Sequence, residues 1–406
     1  MTIQQSVTSQ QQTSHNDTRI IALMVLLVLF SPLAIDIYLP ALPQISQDFG
    51  VSATLAQDTI TWFMFSLGFG QLFAGPLADR YGRRPIALAG IAIYGLSSLL
   101  AWYAQHIELM LTARVIQGLG ACATSVAAFA AVRDSFGAKR SGQMISYLNG
   151  AICFIPALAP IFGGWLTHQF GWRSNFSFMA AFALVSLVII SVYFKETRPA
   201  HTNTQGRLIS LSRYFSVLKQ PIFIFHACLC MLAMAVILAY VTSAPVLLMI
   251  EQGLTMAQFT GWFSLNALFN IIACFTAPLF MAKYGSRPAL ILGLSVLIFS
   301  GLLMFGLSTI NQPWAFMVPI FFSSIGFAWT LGSAAGTALA PFGDRAGTAA
   351  ALLGLFQMSG ASAIVALLQR LDISPVMLLS LLMFSLLPGL LILLSEQGRQ
   401  WHLIED

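Results

Sequence analysis

Long stretches of this chain carry no charge at all. The runs Ile20 to Ala34, Ile86 to Ala104, Ala180 to Phe194 and Val376 to Leu394 contain no Asp, Glu, Lys or Arg, and a helix that crosses a bilayer takes roughly 20 consecutive apolar residues. Over all 406 positions 58% are hydrophobic and 8% charged, whereas soluble domains carry charge at about a quarter of their positions. The sequence therefore reads as a polytopic membrane protein, and a water-soluble core is excluded. Residues 1–17 are rich in Gln, Ser and Thr, and the apolar run after them shows no cleavage site, so that run is expected to stay as the first helix rather than leave as a signal peptide.

Cutting the chain at polar and Gly/Pro clusters predicts twelve helical spans, beginning near Ile20, Thr54, Pro85, Glu108, Ser141, Arg173, Gln220, Thr255, Ser286, Gln312, Asp344 and Ser374. The expected organisation is a disordered leader at 1–18, a six-helix bundle at 19–194, a loop at 195–219, a second six-helix bundle at 220–395 and a tail at 396–406. Lys and Arg accumulate in the cytoplasmic loops of membrane proteins. Here Arg19, Arg80, Arg83, Arg84, Arg133, Lys139, Arg140, Lys195, Lys219, Lys283, Arg287, Arg345 and Arg399 all fall on one side, against Arg173 and Arg370 on the other. Both termini and the central loop are thus expected in the cytoplasm. The net charge of +5 is a topology signal, and no nucleic-acid partner is implied.

The halves echo each other. Pro76, Leu77, Tyr81, Gly82, Arg84 and Pro85 recur as Pro278, Leu279, Tyr284, Gly285, Arg287 and Pro288, each set between the second and third spans of its half. A parallel duplication is the simplest reading.

Two ionisable residues fall clearly within the expected spans, Asp36 in the first and Arg114 in the fourth. Each costs roughly 2.5–3.5 kcal/mol at a helix centre on insertion scales, so a charge there is a functional hypothesis by default. At 1.5 Å per residue both lie roughly 24–27 Å from the cytoplasmic ends of their helices, deep enough to share one cavity. Two readings stay open. They form a static ion pair that fastens two helices, or Asp36 carries a proton and Arg114 modulates it, because low dielectric favours a protonated carboxyl and a nearby guanidinium opposes that. Tyr38, Gln117 and Asn149 in the first half and Tyr240, Asn266, Asn270 and Gln357 in the second are candidates to line a substrate cavity, each weighed against an ordinary interhelical hydrogen bond. The second half shows no embedded acid, which places proton chemistry in the first. The 16 Met and 32 Phe are mostly packing, yet adaptable Met and aromatic surfaces suit varied apolar ligands. The five cysteines lie in apolar stretches without metal or redox spacing. His226 reads as a core residue, and no H-E-x-x-H metal motif or soluble catalytic domain speaks for an enzyme or a receptor.

The segment GPLADRYGRRPIAL at Gly75 to Leu88 resembles the loop motif of the major facilitator superfamily. Resemblance to that family implies an all-α fold of twelve transmembrane helices in two pseudo-symmetric bundles, with the substrate site between them near the midplane. It also implies a conformational latch at Gly75, Asp79, Arg80, Gly82, Arg83 and Arg133, in which Asp79 faces a helix N-terminus or an arginine such as Arg133. In the second copy Met281 and Ala282 stand where that acid would be. Arg114, Gln117, Gly118, Gly120 and Ala121 look like the family's fourth-helix motif, whose arginine is implicated in proton coupling. Gly150, Pro156, Pro160, Gly163 and Gly164 resemble the fifth-helix motif of drug:proton antiporters. The runs AIDIYLPALP at Ala34 to Pro43 and DRAGTAAALLG at Asp344 to Gly354 are similar to the bicyclomycin and chloramphenicol resistance subfamily.

These resemblances imply a monomeric exporter in the bacterial inner membrane that takes a small-molecule substrate and protons, lies in a lipid bilayer and uses no metal or other cofactor. An exporter or proton symporter of an endogenous metabolite on the same scaffold is the alternative, since fold alone does not fix substrate.

Overall fold

The computed structural model of the protein describes residues 17–199, 211–371 and 373–402. Among them twelve helices are long and apolar enough to cross a membrane: α1 (Asp17–Phe49), α2 (Ala53–Tyr81), α3 (Arg83–Tyr103), α4 (Ile107–Gly137), α5 (Arg140–Phe170), α6 (Arg173–Tyr193), α7 (Pro221–Glu251), α8 (Met256–Tyr284), α9 (Ser286–Gly306), α10 (Pro313–Gly343), α11 (Ala346–Leu368) and α12 (Pro375–Leu394). Each begins within three residues of its expected start, because starts are written in local chemistry. Ser52, Thr255 and Ser374 cap α2, α8 and α12 through their hydroxyls, and Pro221, Pro313 and Pro375 occupy first-turn positions where no N–H is needed.

Three boundaries differ from expectation. Helix α1 starts at Asp17, inside the stretch expected as a disordered leader; residues 1–16 lie outside the described residues. The central loop contains a helix, Leu211–Leu218, which presents Leu211, Tyr214, Phe215 and Leu218 at helical spacing; residues 200–210 of the loop lie outside the described residues. Its Tyr214 hydroxyl donates to the Leu72 carbonyl at 2.9 Å, so it docks on the first bundle. The tail forms a short helix over Glu396–Gln400.

Within each half, a crossing of small residues sets the spacing. Gly90 on α3 and Gly120 on α4 meet so closely that a Cβ on either would lie 2.8 Å from the other's carbonyl oxygen, and Gly293 on α9 and Gly326 on α10 repeat the contact at 3.0 and 2.8 Å. Between the halves, two seams dominate, α2 against α11 and α5 against α8. On the α2–α11 seam Ser359 donates to the Phe65 carbonyl at 2.6 Å. On the α5–α8 seam Ser264 donates to the Ala157 carbonyl at 2.9 Å, and Gly164 sits against Met256 and Thr260. The outer surface of the bundle carries exposed Leu96, Leu158, Leu184, Leu279, Leu302 and Leu367. Such a belt belongs in lipid.

Three helices are interrupted where they pass the boundary between the halves. Helix α1 loosens after Asp36 into a short 3-10 turn at Leu39–Ala41, because Pro40 and Pro43 cannot donate to the carbonyls of residues 36 and 39. Helix α7 widens into a π turn over Val246–Glu251 directly after Pro245, and α11 does so over Leu355–Gly360. Such turns free backbone carbonyls and re-aim side chains.

The glycines of α5 differ sharply in surroundings. A Cβ at Gly163 would collide with the Ile37 carbonyl of α1, whereas Gly150 has nothing within 4 Å. Gly163→Ala should therefore cost about 1–3 kcal/mol through overpacking, and Gly150→Ala should be neutral or slightly stabilising. Thermal unfolding of the two variants in detergent, side by side, checks this.

Candidate functional site

Arg114 is completely buried, and among the described residues no carboxylate pairs with it. Its Nε donates to the Thr59 carbonyl at 3.0 Å, its Nη2 to the Ala34 carbonyl at 2.9 Å and its Nη1 to Gln117 Oε1. The guanidinium also lies 4.7 Å from the centre of the Tyr38 ring and 4.4 Å from that of Phe63, an arrangement in which the ring faces attract the cation. One α4 side chain thereby ties together α1, α2 and its own helix. Gln117 completes the set by donating from Nε2 to Ser98 at 2.7 Å, and the Tyr38 hydroxyl shares a hydrogen bond of 3.0 Å with Thr59. Tyr38 and Gln117, expected to line a cavity, are instead fully enclosed and hold the arginine.

Asp36 lies two residues beyond Ala34, whose carbonyl Arg114 grips, and no ion pair joins Asp36 to Arg114. The Asp36 side chain is 5% exposed and has no hydrogen-bond or ion-pair partner among the described residues. It stands where α1 loosens, and the following turn, Leu39–Ala41, packs on α7 and α8 of the other half. Of the two readings of the buried charges, the static pair is absent from this structure.

In the second half, Tyr240 is buried and stacks on Phe263 with ring centres 5.5 Å apart, and its hydroxyl is buried without a well-aligned partner among the described residues. Asn266 accepts from Ser324 at 2.8 Å. Asn270 and Gln357 are half-buried and Asn149 is exposed; Gln357 rides on the π turn of α11. The structure thus buries Asp36 in the first half and Tyr240 in the second, with Asn266 beside Ser324 and Asn149 exposed on α5.

At the face that carries the basic loops, Arg83 is buried between two acids, donating to Asp79 at 2.7 Å and Asp134 at 2.8 Å. The partner of Asp79 is therefore Arg83, four residues along, and not Arg133, which is exposed and donates to the Phe129 carbonyl of its own helix. The anion at the start of α3 is also a different one. Glu196, beyond the end of α6, accepts from the backbone N–H groups of Arg83 at 2.8 Å and Arg84 at 3.1 Å, supplying the cap that the sequence of α3 lacks. Gly82 has φ +107°, and its missing side chain leaves the space that the Glu196 carboxylate fills. Arg198 donates to the Arg80 carbonyl and Arg84 to that of Ser191 at 2.7 Å. A cavity of about 430 Å³ opens beside this cluster, lined by Gly75, Asp79, Arg83 and Arg133 on one side and by Gly347, Ala350 and Ala351 of α11 on the other.

This geometry can be set against known proteins. The model of the Major Facilitator Superfamily matches residues 24–366. The chain belongs to that superfamily. It is a multi-pass membrane transporter and not an enzyme. Relatives of this major facilitator include the multidrug resistance protein MdtL of Citrobacter koseri, 32% identical over 85% of this chain and 87% of the relative, and MdtL of Shewanella oneidensis, 31% identical over 88% and 90%. Among solved structures, a D-xylose-proton symporter superposes with a TM-score of 0.74 at 16% identity, covering 92% of this chain and 97% of that one. An inward-open xylose transporter XylE from E. coli gives 0.72 at 15%, covering 92% and 95%. At that identity the likeness speaks for the fold alone.

The major facilitator loop is unequally built in its two copies. Where Arg83 finds two carboxylates, Arg287 of the second copy donates to the Leu393 carbonyl at 2.8 Å, in keeping with Met281 and Ala282 in place of an acid. The sequence reading passed over three acids. Asp134 and Glu196 flank loops, and nothing in their local sequence marks the partners they have in the fold. Asp58, in the second turn of α2, is 2% exposed and pairs at 3.0 Å with Arg370, two residues past the end of α11, across the two halves at the face opposite the basic loops. Next to it, Gln369 donates to Thr242 of α7 at 2.8 Å.

Two predictions follow from these contacts. Arg114→Lys keeps the charge but cannot span three acceptors, and each buried carbonyl left unpaired costs about 1–3 kcal/mol; its thermal midpoint should fall clearly below that of an Arg133→Lys control. For Glu196, burial alone would raise the proton affinity, but the backbone N–H groups of Arg198, Arg83, Arg84 and Thr197 outweigh it and hold the carboxyl below the usual glutamate range. A lowered value means stability that is present above the ordinary glutamate pKa of about 4.3 and is lost as pH falls through the lowered one. Glu196→Gln should thus melt earlier than wild type at neutral pH, and the gap should close towards about pH 3.

Proposed function

We propose that the protein exports small amphipathic or apolar drugs from the bacterial cytoplasm in exchange for protons, by alternating access. The observation that carries this reading is Asp36. A carboxyl held away from water, with no basic partner among the described residues, at a break in α1 whose next turn packs on the second half, is the arrangement a proton carrier needs. The names of the multidrug resistance relatives support drugs as the substrate class, and the runs AIDIYLPALP and DRAGTAAALLG support placement in the bicyclomycin and chloramphenicol resistance subfamily. The distribution of Lys and Arg supports a cytoplasmic basic face with both termini on that side.

In this mechanism, the halves rock about the α2–α11 and α5–α8 seams. Opening of the basic face lets a drug enter beside a deprotonated Asp36. When the opposite face opens, a proton from outside reaches the carboxyl and the drug leaves, so that proton and drug alternate at one place. The Asp58–Arg370 pair holds the outer ends of α2 and α11 together while the basic face is open. Tyr240, Asn266, Asn270 and Gln357 offer apolar walls and a few hydrogen-bonding groups, enough to orient a ligand without demanding one shape. Arg114 acts indirectly, by holding the Ala34 carbonyl and so the position of the helical break. A proton moving inward through 100 mV releases about 2.3 kcal/mol, which sustains roughly a fifty-fold drug gradient for one-to-one exchange.

Asp36→Asn should bind drug within about threefold of wild type, yet confer no resistance on an efflux-deficient host across a panel that includes bicyclomycin and chloramphenicol. Inverted vesicles carrying this variant should show no proton-driven accumulation, while equilibrium exchange persists. Uphill transport that survives in Asp36→Asn removes the mechanism, and accumulation on the wrong side of an imposed pH gradient would favour the symporter alternative.

A further inference from the structure

The helix of the central loop, Leu211–Leu218, is held by both halves at once. Its Tyr214 hydroxyl donates to the Leu72 carbonyl of α2 at 2.9 Å, and Arg345, the residue before α11, donates from Nη1 to Ser216 Oγ at 2.8 Å. Val217 is fully buried where the helix packs on α7 and α11. The helix thus bridges α2 and α11. These contacts leave a second face over. At about 100° per residue Leu211 and Phe215 lie some 40° apart around the helix, and they are 69% and 60% exposed. Arg213 stands about 160° from each. Lys219 extends the last turn, its N–H donating to the Phe215 carbonyl at 3.0 Å, so its side chain flanks the apolar stripe. Arg213 and Lys219 are exposed and carry no ion pair among the described residues. The chain itself fixes the level of this face. Leu218 comes three residues before Pro221, where α7 begins, so the helix lies where a span leaves the bilayer.

We propose that this helix docks on the bilayer surface as an anionic-lipid contact, with Leu211 and Phe215 in the boundary between headgroups and acyl chains and with Lys219 and Arg213 drawing net-negative headgroups to it. Exposed apolar side chains on one side of a helix, with basic residues beside and behind them, are the layout of a helix that lies in the membrane interface. A neutral surface would cover the stripe but leave both cations without a counter-charge. A second copy of the chain is the poorer occupant, because two side chains on an eight-residue helix offer far less than the roughly 800 Å² that each partner of a stable interface buries. Each basic residue close to an anionic leaflet strengthens docking about fivefold. Because the other side of the helix is bonded to α2 and to the residue before α11, lipid that holds the helix also braces the α2–α11 seam at the basic face. The brace rests on the rocking motion of the proposed function; the docking is independent of Asp36 and of any drug.

Full-length protein in nanodiscs of phosphatidylcholine, or of phosphatidylglycerol with the same acyl chains, tests this by hydrogen–deuterium exchange. Over residues 211–219 exchange should be roughly twentyfold slower in the anionic discs. Arg213→Gln and Lys219→Gln should each remove about fivefold of that difference, and the double replacement Leu211→Gln with Phe215→Gln should speed exchange in both lipids. Exchange over residues 346–354, at the start of α11, should slow in anionic discs for wild type and not for Tyr214→Phe combined with Ser216→Ala, which cuts the bonds to both halves. Equal exchange over 211–219 in the two lipids overturns the contact, as does a difference that survives both charge variants. Protection confined to discs that hold two copies makes the stripe a dimer contact and overturns it as well. Slowing at 211–219 without slowing at 346–354 overturns the brace, whatever the outcome for Asp36→Asn.

Discussion

Removing a guanidinium from water is tolerable only if every direction in which it can donate meets an acceptor. Arg114 meets that condition without a carboxylate, through the carbonyls of Ala34 and Thr59, the Gln117 amide oxygen and the faces of Tyr38 and Phe63. The consequence is structural before it is chemical. Carbonyls on α1 and α2 are held to a point on α4, so the break in α1, which bears Asp36, occurs at a fixed height where its next turn meets the second half. Because the arginine spends its donors on backbone, it leaves the acid unpaired. A salt bridge at the same place would have made both charges inert.

That division of labour explains what could be read in the sequence and what could not. Span positions were legible because apolar length, caps and prolines are local properties. Asp36 and Arg114 stood out because charge is rare in an apolar run. Their relation was not legible, since depth along two helices says nothing about rotation around them, and rotation decides that Arg114 turns to Ala34 and Thr59. Asp58 was hidden for a similar reason: a carboxylate near the end of a helix looks solvated until the other half is seen covering it. Asp134 and Glu196 belong to the same class. Their partners lie on other helices, and pairing between remote segments leaves no periodic trace. The helix at Leu211–Leu218 is a milder case, where basic composition masked apolar spacing that was present.

The duplication has kept the frame and let the chemistry diverge. The glycine crossing of α3 with α4 returns in α9 with α10 at almost the same distances, so the two bundles are built to one pattern. Their polar content is not alike. The first half holds the buried cation, the lone acid and the doubly paired Arg83, whereas the second offers aromatic stacking and two π turns. One bundle is braced by directional bonds, the other by contact surfaces that can slide. In the proposed rocking between such unequal partners, change would concentrate at the seams and in the interrupted helices.

Glu196 and Gly82 show how such a frame constrains its own descent. The carboxylate occupies the volume in which a side chain at position 82 would stand, and the helix it caps begins at the very next residue. Any larger residue at 82 evicts the acid and strands the first N–H groups of α3; any loss of the acid leaves the glycine with a void to guard. Two positions far apart in the chain are therefore bound to change together in related sequences or not at all, and their covariation would record a contact that neither residue reveals alone.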